Sequence, residues 1–323
     1  MPPDDLRASL ERLLAERWSD TGVTVDELRR LTGGASRETW SFDAVRPGGA
    51  RVPLVLQRRR PGADDGVASL AVEATLLRAA SRAGVPVPEL VLDEGDAVLG
   101  RRILVSARLD GETIARRILR DDAYARARSR LTAQCGAALA AIHRIPTDEV
   151  PGLVAVDQLA RYREVLDGFG EPHPAFELAL RWLEAERPDP APGVVVHGDF
   201  RLGNLLVGPD GLRAVLDWEL AHLGDPMEDL GWLCVRAWRF GAPHPVAGLG
   251  EYRELFDAYA AASGRAVDPH VVRWWEVLGT LIWGVMCRMQ AEAHLSGLVR
   301  SVELAAIGRR VCENEHDVLL VLP

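Results

Sequence analysis

The sequence predicts an α+β protein in two lobes, a small antiparallel sheet with one helix and then a larger helical lobe. Three observations lead there. At 323 residues the chain is longer than a usual single domain. Strand-like segments punctuated by Gly- and Pro-rich turns are concentrated before Gly111. Beyond Gly111 the apolar residues recur mainly at helical spacing.

Asp4 to Trp18 opens the chain as a helix, with Leu6, Leu10, Leu13 and Leu14 on one face. The stretch LRRLTGGASRETWSFDAV reads as strand, glycine turn and strand; RPGGAR is a tight turn, and VPLVLQRRR a third strand. VASLAVEATLLRAASRAG has helical periodicity, ended by Gly84 and the breaker VPVP. ELVLDE and RRILVSARL bring the strands to about five, a coarse count of the kind such pattern reading allows. LDGETI, around Asp110, is the connection between lobes. Residues 1–105 are thus expected to form the small lobe, 106–111 a hinge and 112–323 the helical lobe. A cleft between two lobes is a natural ligand site.

The bulk properties narrow the function. A formal charge of −9 without blocks of like charge argues against nucleic acid as a partner. All 38 cationic side chains are arginine; the chain has no lysine. Cys135, Cys234, Cys287 and Cys312 lie far apart, so neither a metal cluster nor a disulfide framework is expected, and a reducing compartment fits. MPPDDLRASL is acidic and helix-like, unlike a secretory signal. The longest apolar run, VLGTLIWGVM, lies between Glu276 and Arg288 and is too short to span a bilayer. These features predict a soluble cytoplasmic protein with no membrane partner; the oligomeric state is left open.

The chemistry concentrates in VVVHGDFRLGNLLVGPDGLRAVLDWE, Val194 to Glu219. Two apolar runs flank a turn that holds His197, Asp199, Asn204 and Asp217. Any one Asp or Asn in a loop is usually just a turn former. The three together, each beside a strand, suit magnesium-dependent phosphoryl transfer. Magnesium takes one or two carboxylates together with phosphate oxygens and water. Asn204, just before LLV, and Asp217, at the end of AVLD, supply two such oxygens. Asp199 remains to accept a hydroxyl proton and aim that oxygen at the γ-phosphorus, with Arg201 near the transferring charge. A carboxylate is a weak base at neutral pH. That suffices where the proton moves late and catalysis is mostly positioning and electrostatics.

His197-x-Asp199-x-x-x-x-Asn204 has the spacing of the protein-kinase catalytic loop. HGDFRLGN followed by LDWE resembles the aminoglycoside phosphotransferase and choline-kinase family. LDWELAHLGDPMEDL resembles one branch in particular, the kinase-like domains found alone in bacteria or fused to acyl-CoA dehydrogenases. The resemblance runs from the GGAS turn to the terminal helix and implies a protein-kinase-like fold using ATP and Mg2+. It implies a structural His197. It implies that Gly33, Gly34 and Ser36 contact phosphates, although a Gly-Gly pair is also a common hairpin turn. It places the backbone of Ala107 and Leu109 at the adenine edge. Glu73, mid-helix, would pair with a lysine on the third strand, but the aligned residue is Gln57. By strand alternation Gln57 and Arg59 share a face, so Arg59 is expected to reach the α- and β-phosphates. Asp225, Pro226 and Glu228 form a helix start, and Asp225 and Asp229 are expected to brace the loop rather than bind a ligand. His143 reads as a core histidine.

The acceptor is expected in the helical lobe, which holds seven of the nine tryptophans. Trp275, Leu278, Ile282 and Met286 form a helical stripe, more often core than pocket. From Asp225 onward there are 13 Asp and Glu against nine Arg, too few for a carboxylate patch that captures a polycationic aminoglycoside. The expected acceptor is a less cationic hydroxylated small molecule, for instance a hydroxyacyl compound. Two rival readings are a nucleotide-binding pseudokinase, suggested by Gln57, and nucleotidyl transfer on the same scaffold.

Overall fold

A computed structural model describes residues 3–31, 37–59, 69–94 and 102–323. Its first five strands are β1 (Thr24–Leu31), β2 (Arg37–Val45), β3 (Arg51–Arg59), β4 (Leu90–Glu94) and β5 (Ile103–Ala107). They form one antiparallel sheet in the order β1-β2-β3-β5-β4. The β2–β3 turn closes on Gly48 and Gly49, whose φ angles of 98° and 87° suit glycine. The β2–β3 register sets Thr39 opposite Gln57 and Arg37 opposite Arg59.

Side-chain alternation gives the sheet two occupied faces. Helix α1 (Pro3–Trp18) covers one, where Leu6, Leu10, Leu13 and Leu14 pack with Phe42, Leu54, Leu56, Ile103 and Val105. Helix α2 (Leu70–Arg82) covers the other, where Leu70 and Ala74 pack on Leu104. The Ser69 hydroxyl caps α2 by accepting from Val72 N–H, and Gly84 follows its end with φ of 82°. Because α2 starts at Leu70, Glu73 sits in its first turn rather than mid-helix. Gln57 pairs with Leu104, so it shares the α2 face.

Beyond the sheet the described chain is mainly helical: α3 (Ala115–Arg120), α4 (Ala125–Ile142), α5 (Gln158–Phe169), α6 (Pro174–Ala185), α7 (Pro226–Cys234), α8 (Tyr252–Ser263), α9 (Pro269–Leu295), α10 (Val302–Gly308) and α11 (Val311–Val321). Two short antiparallel pairs interrupt it, β6 (Val194–Val196) with β9 (His222–Gly224) and β7 (Leu205–Gly208) with β8 (Gly211–Val215). Asp268 and Pro269 start α9, whose Val277, Leu278, Leu281 and Val285 pack against Phe176 and Leu180 of α6. No described helix is long and apolar enough to cross a membrane. Cys135, Cys234 and Cys287 are buried free thiols, and Cys312 is exposed.

Candidate active site

The loop from His197 to Asn204 leaves β6 and enters β7, held by buried polar contacts. Asp229 of α7 accepts from the backbone N–H groups of His197 (2.8 Å) and Gly198 (2.9 Å). The same carboxylate meets His143 Nε2 at 3.1 Å, while His143 Nδ1 meets the Tyr259 hydroxyl at 2.9 Å. Burial penalises the Asp229 charge, but the His143 hydrogen bond and the other donors outweigh it and hold its carboxyl below the usual range. Gly198 has φ of 76°, and a Cβ there would lie 2.5 Å from Leu220 O, so the turn admits glycine alone. Asp225 caps α7 by accepting from Met227 N–H.

His197 locks two loops together. Its Nδ1 accepts from Asp199 N–H (3.2 Å), which leaves Nε2–H to donate to Leu216 O (3.1 Å). Full burial pushes the imidazole pKa down, so the ring stays neutral, as that tautomer requires. Leu216 N–H in turn donates to Asn204 O at 2.9 Å. These contacts bring Asp217, one residue further on, beside Asn204.

The Asp199 carboxylate accepts from three side chains. Oδ1 receives Arg201 Nε (2.9 Å) and Trp232 Nε1 (3.0 Å), and Oδ2 receives Asn204 Nδ2 (2.6 Å). Asn204 Nδ2 also donates to Asp199 O at 3.0 Å, so its carbonyl Oδ1 is the atom left for a cation. Arg201 lies over the Trp238 ring, its guanidinium carbon 5.0 Å from the centroid. Sequence reasoning missed Trp232, because an indole on an apolar helix carries no motif.

Asp217 adopts a left-handed backbone with φ of 65°, rare outside glycine and frequent at functional sites. Burial, then the neighbouring Glu219, push its carboxyl up to about 7, with Asp199 and Glu73 adding repulsion and Arg37 opposing it. A carboxylate so crowded by acids suits a bound cation. No group of three or more His, Cys, Asp or Glu that could hold a metal occurs among the described residues. Two protein oxygens nevertheless fit magnesium, which completes its shell with phosphate and water.

Asp199, Arg201, Asn204, Asp217, Gln57, Glu73, Ala107 and Leu109 all line one cleft of about 790 Å³ between the sheet and the helical part. Arg59 does not line it; Arg37, its register partner on β2, does. Glu73 is buried and pairs with Arg37 at 2.8 Å, in the place expected for a lysine on β3. Val55, Leu77, Leu206 and Val215 form an apolar slot at one end. Ala107 N–H already donates to Glu89 O, so of Ala107 only the carbonyl remains for a ligand. Leu109 N–H makes no backbone hydrogen bond among the described residues. Trp283, Met286, Gln290, Glu303 and Ile307 line the other end. Gly33, Gly34 and Ser36 lie outside the described residues.

The fold and this loop define a kinase-type phosphotransferase. The sequence profile of the Phosphotransferase enzyme family matches residues 27–275, and the chain belongs to that family. Among solved structures, a candidate aminoglycoside phosphotransferase from Ralstonia eutropha aligns with a TM-score of 0.72 at 20% identity, covering 97% of each chain. Spectinomycin phosphotransferase, solved with ADP and spectinomycin, aligns with a TM-score of 0.68 at 14% identity, covering 97% of this chain and 98% of that one. An aminoglycoside phosphotransferase mutant with AMP-PNP and hygromycin B gives a TM-score of 0.64 at 16% identity, covering 97% of each. These likenesses establish a kinase-like fold. In sequence, the chain is similar to acyl-CoA dehydrogenase family member 10 of Mus musculus, 45% identical over 64 residues, which is 19% of this chain and 6% of that protein. It is also similar to acyl-CoA dehydrogenase family member 11 of Rattus norvegicus, 33% identical over 113 residues, 31% of this chain and 14% of that protein. The chain therefore spans only a small part of these relatives' length.

Proposed function

We propose that this protein transfers the γ-phosphate of ATP to a hydroxyl of a small molecule, with magnesium as cofactor. The observation that carries the reading is the Asp199 carboxylate. Its two oxygens offer about four acceptor sites, and three of them are taken by Arg201, Trp232 and Asn204. One site on Oδ2 remains, at the edge of the cleft, and it suits the acceptor hydroxyl. That hydroxyl oxygen attacks the γ-phosphorus as the bond to the β–γ bridging oxygen breaks. ADP leaves, and the hydroxyl proton passes to Asp199 and then to water. Asn204 and Asp217 would hold magnesium, which supplies charge neutralisation on the phosphate oxygens. Arg201 stabilises charge on the transferring group. The Val55–Val215 slot, with Ala107 O and Leu109 N–H at its rim, suits an adenine.

In this reading residues 1–105 are the small lobe, 106–111 the hinge and 112–323 the helical lobe. Among the described residues, the acceptor end presents Trp283, Met286, Gln290, Ile307 and one carboxylate, Glu303. That lining supports an acceptor with little positive charge over a polycationic antibiotic. A hydroxyacyl compound is the first class to test, given the acyl-CoA dehydrogenase relatives. The free cysteines suit a reducing cytoplasm.

Incubating the protein with Mg·ATP and a library of hydroxylated metabolites, then scanning for phosphoryl mass gain, tests the proposal. Asp199→Asn should abolish the gain, and turnover unaffected by it would sink the assignment. Nucleotide binding without turnover on any acceptor would favour the pseudokinase reading that Gln57 suggests. AMP-modified products would indicate nucleotidyl transfer instead.

A further inference from the structure

We propose that Arg37 of β2 is the residue that holds the α- and β-phosphates of the bound nucleotide, in place of a cation on β3. The proposal rests on the nucleotide reading of the cleft. The chain has no lysine, and the described β3 residues that line the cleft, Val55 and Gln57, are both uncharged. A neutral amide cannot offset phosphate charge as an ammonium or guanidinium can.

The sheet register supplies the substitute. Arg37 stands two residues from Thr39, which is opposite Gln57, so Arg37 projects from the same face, one residue pair along. This is the face that α2 covers. Arg37 lines the cleft with Gln57, Glu73 and Asp217, although it is only 4% exposed as a whole residue. Its Nη1 contacts Glu73 Oε1 at 2.8 Å, and its Nε contacts Glu219 Oε2 at 3.3 Å. Glu73 belongs to α2, whereas Glu219 follows Asp217 in the helical part. The guanidinium is thus clamped between two acids from different parts of the fold and held near the expected metal position.

A guanidinium offers five donors in a rigid fork and stays charged, so it binds carboxylates and phosphate oxygens together. Among the described residues, the other two arginines lining the cleft are committed elsewhere. Arg108 binds Ser41 Oγ (2.7 Å) and Asp43 Oδ1 (2.8 Å), and Arg201 pairs with Asp199 and stacks on Trp238. The acids lining the cleft near Arg37, Glu73, Asp217 and Glu219, would repel a triphosphate without a cation among them. In kinases a β3 lysine paired to a helix glutamate meets this need. Here the same glutamate is met from the neighbouring strand, so Gln57 does not by itself mark an inactive protein.

The test measures affinity for Mg·AMP-PNP and for adenosine, which lacks phosphates, by calorimetry on the full chain. Arg37→Gln should weaken AMP-PNP binding by roughly ten- to a hundredfold, the scale of a lost charge-assisted contact. Adenosine affinity should stay within about twofold. The double variant Arg37→Gln/Gln57→Lys should regain most of the AMP-PNP affinity, because an ammonium on β3 restores a partner for Glu73. Unchanged AMP-PNP affinity in Arg37→Gln overturns the proposal. So does a parallel loss of both ligands, which marks a structural ion pair. Failure of the unmodified protein to bind either ligand instead overturns the nucleotide reading itself. If Arg37→Gln does not fold, Arg37→Lys takes its place. It keeps the charge but loses the fork, so AMP-PNP affinity should fall severalfold with adenosine unchanged, and wild-type affinity for both overturns the proposal.

Discussion

Trp232 Nε1 donates a 3.0 Å hydrogen bond to Asp199 Oδ1. With Arg201 Nε on the same oxygen, the indole fills Oδ1 and leaves Oδ2 as the oxygen with room for a further donor. Trp232 also packs against Trp238, the ring on which Arg201 rests, with centroids 5.4 Å apart. One helix side chain therefore orients both the Asp199 carboxylate and the neighbouring Arg201 guanidinium.

Trp232→Phe removes the donor and keeps most of the packing. A hydrogen bond to a charged group contributes about 1.5–3 kcal/mol, which corresponds to roughly a ten- to hundredfold loss in kcat/KM. Steady-state kinetics beside a thermal melt check this, with the melt expected to move by only a few degrees. A loss of rate matched by a loss of fold would assign Trp232 to the core alone.

Asp229 is buried and answers three donors, the backbone N–H groups of His197 and Gly198 and the ring of His143. Asp229→Ala strands these groups and should cost about 3–5 kcal/mol, as breaking a buried charged network does. The pH dependence follows from the depressed pKa of this carboxyl. A folded value below the unfolded one gives stability that is present above the unfolded pKa and lost as pH falls through the folded value. Urea unfolding on an acid series should show that loss in the unmodified chain, and a shallower acid slope in Asp229→Ala.

His222 carries the opposite sign. Burial disfavours its imidazolium, but Glu228, 3.1 Å away, and Leu220 O outweigh that and hold the pKa above its ordinary value. A raised folded pKa gives stability that is full below the unfolded value, about 6.5, and lost as pH rises through the folded one. Unfolding free energy should therefore decline above that pH. His222→Gln, which also faces Gln158 Nε2 at 3.1 Å, should flatten the decline. A profile unaltered by the substitution would place the titration elsewhere.

The five-stranded sheet was legible because its strands alternate cleanly and are separated by Gly- and Pro-rich turns. The loop was legible because Asp199, Asn204 and Asp217 fall within one contiguous stretch. Arg37 and Trp232 were not. Arg37 meets Glu73 across 36 residues, and Trp232 meets Asp199 across 33, through sheet register and helix packing that no local spacing encodes. Alternation puts Arg59 on the same face as Gln57 but does not say which strand's side chain enters the cleft, and Arg37, opposite Arg59 in the register, is the one of the pair that lines it. Met286 is a similar case, since a stripe read as core ends in a residue that lines the cleft.

Gly198 and Gly203 stand in the same loop yet should respond to alanine in opposite ways. At Gly198 the backbone is left-handed, and the added methyl meets the fixed Leu220 carbonyl at 2.5 Å. Gly198→Ala should therefore cost about 1–3 kcal/mol of stability and take activity down with it. At Gly203 no such backbone constraint applies, and the methyl would meet Arg201 Nη1 at 2.5 Å, the free end of a flexible side chain. The guanidinium can swing away, but only by leaving Asp199 Oδ1 and the Trp238 ring. Gly203→Ala should keep the melting temperature within a few degrees and lower kcat by roughly tenfold or more, the scale of one lost charge-assisted contact. Adding Arg201→Ala to Gly203→Ala separates the causes. If the methyl acts through Arg201, the double variant is no slower than Arg201→Ala alone, as two changes to one contact are not additive. A further additive drop would show that the methyl obstructs the acceptor itself.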